Sequence, residues 1–189
     1  MEFVQPIRDR KQIERIKKVL KGQNLRDYAL FVLGINSGLR VSDLLSLKIG
    51  DVVDDRNMIN DRITMREKKT GKAKDFPLGK TAEKALREYL DSRKETSLKD
   101  PLFLSRKGGG SLGRSQAYRI INGAAEAVGI KDKIGTHTLR KTFGYHAYTM
   151  GMDLSVIQKL LNHSSPAITL NYIGITQEDL DKVYMSLNL

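Results

Sequence analysis

The spacing of apolar residues changes twice along this chain, and this pattern constrains its fold more than any other feature. Residues 9–21 carry apolar side chains at intervals of three and four, the spacing of an amphipathic helix. Residues 51–78 instead alternate apolar with polar side chains, which is typical of half-buried strands. Helical spacing returns after Gly79. The sequence therefore predicts a mainly α-helical domain with a small antiparallel β-sheet inserted early, an α+β fold.

Capping residues indicate where the helices begin and end. Gly22 is expected to end the first helix, and Asn24 can cap a second one that runs to Gly38. A short third helix follows, with Arg40 at its start. Thr136 is predicted to cap a later helix, and Thr176 begins a sequence that resembles a capping box. Further helices are predicted at residues 80–94, 114–128, 137–150, 153–162 and 165–173.

The chain is strongly basic. It has 33 Lys and Arg against 22 Asp and Glu, a net charge of +11 in 189 residues. Such an excess attracts polyanions, because cations that neutralise phosphates release condensed counterions. A merely soluble basic surface is the alternative. The sequence has no cysteine and no secretory signal, and its apolar stretch at residues 28–35 is too short to span a bilayer. We expect one cytoplasmic domain.

Positive charge is concentrated in the predicted hairpin at residues 62–77. Lys69-Thr-Gly-Lys72 supplies its turn, and five cations lie close together around that turn. A solvated lysine-rich loop would give the same composition, so the alternative to nucleic-acid contact stays open. The five cations are Arg66, Lys68, Lys69, Lys72 and Lys74.

Two arginines and two histidines are candidates for phosphoryl chemistry. Arg40 follows a glycine turn, although it could simply pair with Asp43 one helical turn on. His137 and Arg140 are three apart and share a helix face, where an imidazole and a guanidinium could serve as proton carrier and oxyanion clamp. His163 ends the next apolar helix. Each residue taken alone has an ordinary structural explanation.

The remaining candidate is Tyr172, one of seven tyrosines. A helical tyrosine usually serves packing, so its position alone proves nothing. The three histidines, His137, His146 and His163, match no usual metal-ligand spacing, and we expect no metal site.

Taken in order, these segments resemble the tyrosine recombinase family, also called phage integrases. The resemblance covers about residues 5–180 and departs from the family at Asn162, where a small residue is usual. The segments that carry it are Ser37-Gly-Leu-Arg40 with Asp43, Lys69-Thr-Gly71 in the hairpin, His137-x-x-Arg140, Leu160-Leu-Asn-His163 and Tyr172.

The resemblance implies a role for each of these residues. Tyr172 would attack a DNA phosphodiester without metal or nucleotide cofactor, leaving a 3′-phosphotyrosine and a free 5′-hydroxyl. Arg40 and Arg140 would hold the non-bridging oxygens, and Lys69 would protonate the leaving oxygen, with Lys68 and Lys72 as alternatives. His137 would help move the phenol proton, and His163 would be the second histidine of the site. Arg66, Lys68, Lys72 and Lys74 would contact DNA.

The resemblance also implies how the chain assembles. The expected partner is double-stranded DNA, on which four protomers would meet, with the isolated domain monomeric. We expect residues 1–189 to be a single catalytic domain without the family's N-terminal DNA-clamping domain. Residues 174–189 could dock on a neighbouring protomer or fold back on their own domain. A non-catalytic DNA-binding regulator or decoy and a type IB topoisomerase are the alternative functions.

Overall fold

The computed structural model describes residues 4–93, 96–106 and 108–187. In this part of the chain the fold is mainly helical with a two-stranded antiparallel sheet, which confirms the predicted fold class. The elements are α1 (Arg10–Gln23), α2 (Leu25–Ser37), α3 (Val41–Leu44), β1 (Arg62–Arg66), β2 (Ala73–Pro77), α4 (Lys80–Asp91), α5 (Arg114–Ala127), α6 (Thr138–Thr149), α7 (Leu154–Leu160), α8 (Pro166–Ile173) and α9 (Gln177–Leu187).

One residue both ends α1 and begins α2. The side chain of Asn24 accepts a hydrogen bond from the backbone N–H of Arg26, while its own N–H donates to the carbonyl of Leu20. The backbone of Asn24 is extended, so α1 ends here without the left-handed residue that often ends a helix. The prediction for Asn24 is confirmed. The prediction that Gly22 ends α1 is wrong, because the helix continues to Gln23.

Helix α2 is the centre of the main core, with its segment from Arg26 to Gly34 buried on every side. It packs against α1, α4 and α6. The contact with α6 is very close at Gly34, where an added Cβ would lie 2.5 Å from Cδ1 of Leu139. The absence of a side chain at Gly34 therefore sets the distance between these two helices.

The predicted basic hairpin is present. Strands β1 and β2 pair antiparallel, with Arg62 opposite Pro77. The connecting turn closes through two backbone bonds, from Gly71 N–H to Glu67 O and from Glu67 N–H to Lys72 O. Gly71 takes a φ of 68°, a conformation that glycine adopts at little cost. These bonds close the turn at the end of the hairpin.

Helices α7 and α8 form a second, smaller apolar cluster with one face of α6. Its buried members are Ile157, Leu161 and Ile173. Gly144 of α6 permits the close approach, since a Cβ there would lie 2.6 Å from Ile173 Cγ2. Helix α8 is thereby held against α6.

The C-terminal helix α9 has no buried residue among those described. Thr176 and Asp179 form the reciprocal capping bonds that the sequence predicted at its start. Helix α4 ends at Asp91, earlier than predicted, and residue 94 lies outside the described residues. In the described ranges, every helix is too short or too polar to cross a bilayer.

Candidate active site

Arg140 lies at the centre of the site and is 2% exposed. Its Nη1 donates to the carbonyl of Gly38 at 2.5 Å, and its Nη2 donates to the carbonyl of Leu161. The first carbonyl belongs to the α2–α3 turn and the second to the end of α7. Burial lowers the pKa of Arg140, yet a guanidinium stays charged at physiological pH. One cation therefore joins three parts of the fold.

Arg40 precedes the first residue of α3 and points toward two buried carboxylates. Its Nη1 lies 2.9 Å from Oε1 of Glu67 and 3.8 Å from Oδ2 of Asp43. The sequence suggested Asp43 as the partner, but the closer ion pair is with Glu67. Burial alone would raise the pKa of Glu67, but the hydrogen bonds from Thr70 and Arg40 outweigh it and the pKa is lowered. Glu67 is therefore an anion at neutral pH.

Tyr172 on α8 is surrounded by the two candidate histidines. Its hydroxyl lies 3.3 Å from Nδ1 of His137, and its ring packs edge-on against His163 with centroids 4.8 Å apart. The ammonium of Lys141 lies 5.2 Å from the centre of the phenol ring. Burial raises the pKa of Tyr172, although Arg140 and Arg40 oppose this. The phenol therefore carries its proton at neutral pH.

Both histidines are neutral at pH 7. Burial, followed by the charge of nearby cations, lowers the pKa of His137. Burial and the two arginines lower the pKa of His163 to about 4. Thr169 uses its hydroxyl proton on the carbonyl of Ser165, so Nδ1 of His163 must be the donor to Thr169 Oγ1 at 3.2 Å. Nε2 of His163 is then left as an acceptor.

Lys69 lies in the turn of the hairpin, where it is exposed. Two carboxylates hold the residues on either side of Lys69: Asp43 of α3, and Glu67 within the turn itself. The backbone N–H of Lys68 donates to Oδ1 of Asp43 at 2.8 Å, and the hydroxyl of Thr70 donates to Oε2 of Glu67 at 2.7 Å. Both acceptors are the carboxylates that face Arg40. Lys69 is thus carried on a turn fixed beside the first arginine.

The other hairpin cations divide into two groups. Arg66 and Lys68 are exposed. Lys72 and Lys74 instead reach toward the end of α7, where Lys72 Nζ lies 3.1 Å from Asn162 Oδ1 and Lys74 Nζ lies 3.4 Å from the carbonyl of Leu160. Burial, then the charge of Arg140, lowers the pKa of Lys74 to about 8. Lys74 is therefore a half-buried member of the site as well as a hairpin residue.

The predicted helix start beside His137 is wrong in one detail. Thr136 does not cap α6, because His137 itself occupies the N-cap position. The hydroxyl of Thr138 accepts the backbone N–H of Gly135 instead. His137 therefore directly precedes the first residue of α6. Its ring contacts Tyr172 on α8.

Among residues 4–93, 96–106 and 108–187, no three His, Asp or Glu side chains are grouped closely enough to hold a metal ion. His146 lies apart from the other two histidines, with its Nε2 2.9 Å from the carbonyl of Ile7. It fastens the N-terminal segment to α6.

Comparison with known proteins gives these contacts a context. The sequence profile described as the phage integrase family matches residues 8–179. The chain belongs to the phage integrase family. It is 42% identical over 184 residues to the probable integrase/recombinase YoeC of Bacillus subtilis strain 168, covering 97% of each chain. It is 37% identical over 160 residues to the tyrosine recombinase XerC of Pelobacter propionicus, covering 85% of this chain and 51% of that protein.

Solved structures of this family share the fold. The crystal structure of XerA recombinase matches all of this chain and 66% of its own, with a TM-score of 0.79 and 28% identity. The XerH recombinase in a post-cleavage complex with its difH substrate matches with a TM-score of 0.76 at 21% identity, covering 55% of that chain. The fold of this phage integrase family member is therefore that of the tyrosine recombinase catalytic domain.

Within this integrase fold, five of the six predicted catalytic side chains meet, and the sixth lies on a turn attached to them. Sequence reasoning missed Glu67 and Lys141. Glu67 follows directly on β1, and a carboxylate at the start of a lysine run was a usable signal for an internal ion pair. Lys141 follows Arg140 and looked like one more surface cation, and only the packing of α8 on α6 brings it to Tyr172.

Proposed function

We propose that this chain is a site-specific DNA recombinase of the integrase type, which cuts and rejoins one strand at a time through a 3′-phosphotyrosine. The supporting observation is the convergence of one phenol, two imidazoles and two guanidinium groups, which lie just before α3, at the start of α6, in the α7–α8 turn and on α8. Residues 8–179, which the family profile matches, are the catalytic unit in this proposal.

In the proposed step, Tyr172 Oη forms a bond to phosphorus while the bond from phosphorus to the 5′-oxygen breaks. The phenol proton passes to His137, whose Nδ1 is the nearest acceptor at 3.3 Å. The leaving 5′-oxygen receives a proton from the ammonium of Lys69. Rejoining reverses these transfers. The covalent link conserves the energy of the phosphodiester, so rejoining the strand needs no nucleoside triphosphate.

Charge compensation in this scheme comes from arginine. Negative charge grows on the non-bridging oxygens in the transition state, and fixed donors aimed at those oxygens stabilise it. Arg40 and Arg140 already lie close enough to lower the pKa of His163 together. Removing one such donor typically costs on the order of 10²–10³ in rate.

Base assistance is needed because the site does not ionise the phenol in advance. The ordinary pKa of a tyrosine is about 10, and burial raises that of Tyr172 further. Neutral His137 is suited to accept the proton as the new bond forms, and the phosphate must be held within reach of the hydroxyl.

A pool of nicked duplexes with randomised sequence tests the proposal. Cleavage next to a nick releases a short strand, so the protein stays trapped on its preferred sites. Wild-type protein should give an SDS-stable adduct and Tyr172→Phe should give none, while both bind DNA. Binding without any adduct would favour the regulator or decoy, and relaxation of supercoils without site preference would favour a topoisomerase.

We further propose that four protomers assemble on two duplexes and that α9 links them. The described residues of α9 bury nothing against their own domain, and its apolar side chains face solvent. Helix α9 follows α8 after Gly174, so docking in trans would bear on the helix that carries Tyr172. The named relatives are bacterial, and we propose the bacterial cytoplasm as the setting.

A further inference from the structure

Asn162 has an unusual backbone for its residue type. It lies between α7 and α8, directly before His163, and its φ is 49°. This left-handed region is strained for side chains other than glycine, although asparagine tolerates it better than most. The only other described non-glycine residue with positive φ is Asn57, in a turn far along the chain. A small residue is usual at position 162 in the family, so the amide side chain itself calls for an explanation.

The side chain of Asn162 joins two charged groups of the hairpin. Lys72 Nζ donates to its Oδ1 at 3.1 Å, and its Nδ2 donates to Oε2 of Glu67 at 3.5 Å. An ammonium can only donate and a carboxylate can only accept, which fixes the orientation of the amide between them. Glycine or alanine could make neither contact.

Glu67 extends this link to the rest of the site. The same Oε2 accepts the hydroxyl of Thr70, the residue after Lys69, and Oε1 pairs with Arg40 at 2.9 Å. Glu67 is 4% exposed, so these bonds are sheltered from water. A single carboxylate and a single amide therefore connect the Arg40 turn, the turn that carries Lys69 and the loop that carries His163.

The hairpin needs such an anchor for its proposed task. A two-stranded hairpin is only marginally stable alone, and a general acid must lie within hydrogen-bond reach of the oxygen it protonates. A carboxylate beside the phosphate-binding Arg40 also opposes phosphate binding by its charge. This cost is understandable if Glu67 serves to position its neighbours.

We infer that Asn162 is a positioning residue, which latches the hairpin to the His163 loop and so holds Lys69 at the leaving 5′-oxygen. This inference rests on the proposed function. It concerns only the proton donated to the leaving group, and not the attack by Tyr172.

Two substrates separate these steps. One is the preferred nicked duplex from the randomised pool, and the other is the same duplex with sulfur in place of the bridging 5′-oxygen. A thiolate leaves without a proton, so its release does not require the general acid. The rate of adduct formation is measured in single turnover at saturating protein, which removes differences in binding.

Asn162→Gly is the decisive variant, because it removes the amide and relieves the backbone strain at once. We expect its rate of adduct formation on the oxygen substrate to be at least about tenfold below wild type. On the sulfur substrate its rate should lie within about twofold of wild type. Asn57→Gly relieves the same type of strain at the other site and should change neither rate. Asn57→Gly should melt close to wild type. Asn162→Gly should melt at most slightly lower, because relief of the backbone strain offsets part of the loss of its two hydrogen bonds.

A second variant guards against an unforeseen folding defect. Asn162→Asp tolerates the left-handed backbone and can still pair with Lys72, but its carboxylate repels Glu67. The broken link to Glu67 should therefore give the same selective loss on the oxygen substrate. The inference is overturned if Asn162→Gly cleaves the oxygen substrate at the wild-type rate, or if it slows both substrates equally. Failure of the wild-type protein to form an adduct with either substrate would instead overturn the proposed function.

Discussion

At the scale of single residues, Arg140 carries both structure and proposed chemistry. Two of its five donors are committed to the carbonyls of Gly38 and Leu161, which leaves others for a ligand. It is also among the largest fully buried side chains of the main fold. The residue that would bind the phosphate therefore also holds the α2–α3 turn and the end of α7 in place.

Arg140→Ala should consequently lower stability as well as activity. It leaves two carbonyls without their donor and opens a cavity, so we expect a loss of about 2–4 kcal/mol in the free energy of unfolding. Urea denaturation measures this, with Arg62→Ala as the control. Arg62 pairs with Asp75 in solvent, and its loss should cost less than about 1 kcal/mol. Equal midpoints for Arg140→Ala and wild type would contradict the structural role.

The histidines predict how cleavage depends on pH. His137 accepts a proton only when neutral, and its pKa lies below the ordinary value of about 6.5. Adduct formation should therefore be at its plateau at pH 7.5 and fall to half at a pH below about 6.5, as His137 becomes protonated. His137→Gln should be slower on the order of 10²-fold and should lose that decline. A rate that falls to half already above pH 6.5 would show that His137 is not the acceptor.

Sequence reasoning was strong for the types and order of these residues and weak for their partners. The five converging side chains could be predicted because each lies in a short segment with a recognisable pattern. The role of Glu67 depends on a hairpin folding back over α3, a contact that no local pattern contains. The wrong cap at Thr136 has a local origin, because Gly135 and Thr138 bond to each other at the start of α6 and His137 takes the N-cap position.

At the scale of elements, the hairpin and the helices differed in how well the sequence predicted them. The alternating pattern and the Lys-Thr-Gly-Lys turn predicted β1 and β2 closely, because period and turn chemistry agree there. Helix existence was also predicted well, but ends were not. Gly22 looked like a helix end, whereas the hydrogen bonds of Asn24 fix the boundary two residues later.

The exposed cations of the hairpin predict a salt dependence. If Arg66 and Lys68 contact phosphates, then Arg66→Gln with Lys68→Gln should reduce the slope of log affinity against log salt by roughly two. The control is Lys11→Gln with Arg15→Gln on α1, which are equally exposed. Fluorescence anisotropy on a short duplex between about 50 and 200 mM salt measures both. Equal slopes for the two double variants would place the DNA elsewhere.

At the scale of the whole molecule, the fold divides into a main core around α2 and a smaller cluster that holds α8. The proposed active site lies where the two meet, with Arg140 contacting both. Helix α9 extends beyond them with Leu180, Val183 and Tyr184 exposed at 45%, 52% and 77%. Apolar side chains of this kind favour a partner that covers them.

Substitutions on α9 test assembly separately from chemistry. Leu180→Asp with Val183→Asp should leave adduct formation on a nicked duplex within a few-fold of wild type, because neither side chain is buried. The same variant should fail to exchange strands between two duplexes. Asp181→Ala, on the same helix, should exchange normally. Normal exchange by the Leu180 and Val183 variant would rule out docking through this face.

The central claim is that Tyr172 is the residue joined to DNA, with Arg40, Arg140, His137 and His163 around the same phosphate. The most direct measurement is mass spectrometry of the trapped adduct after digestion by protease and nuclease. We predict a nucleotide linked through its 3′-phosphate to the peptide that contains Tyr172, and a free 5′-hydroxyl on the released strand. A nucleotide on another residue, or a 5′-phosphate link, would contradict the account.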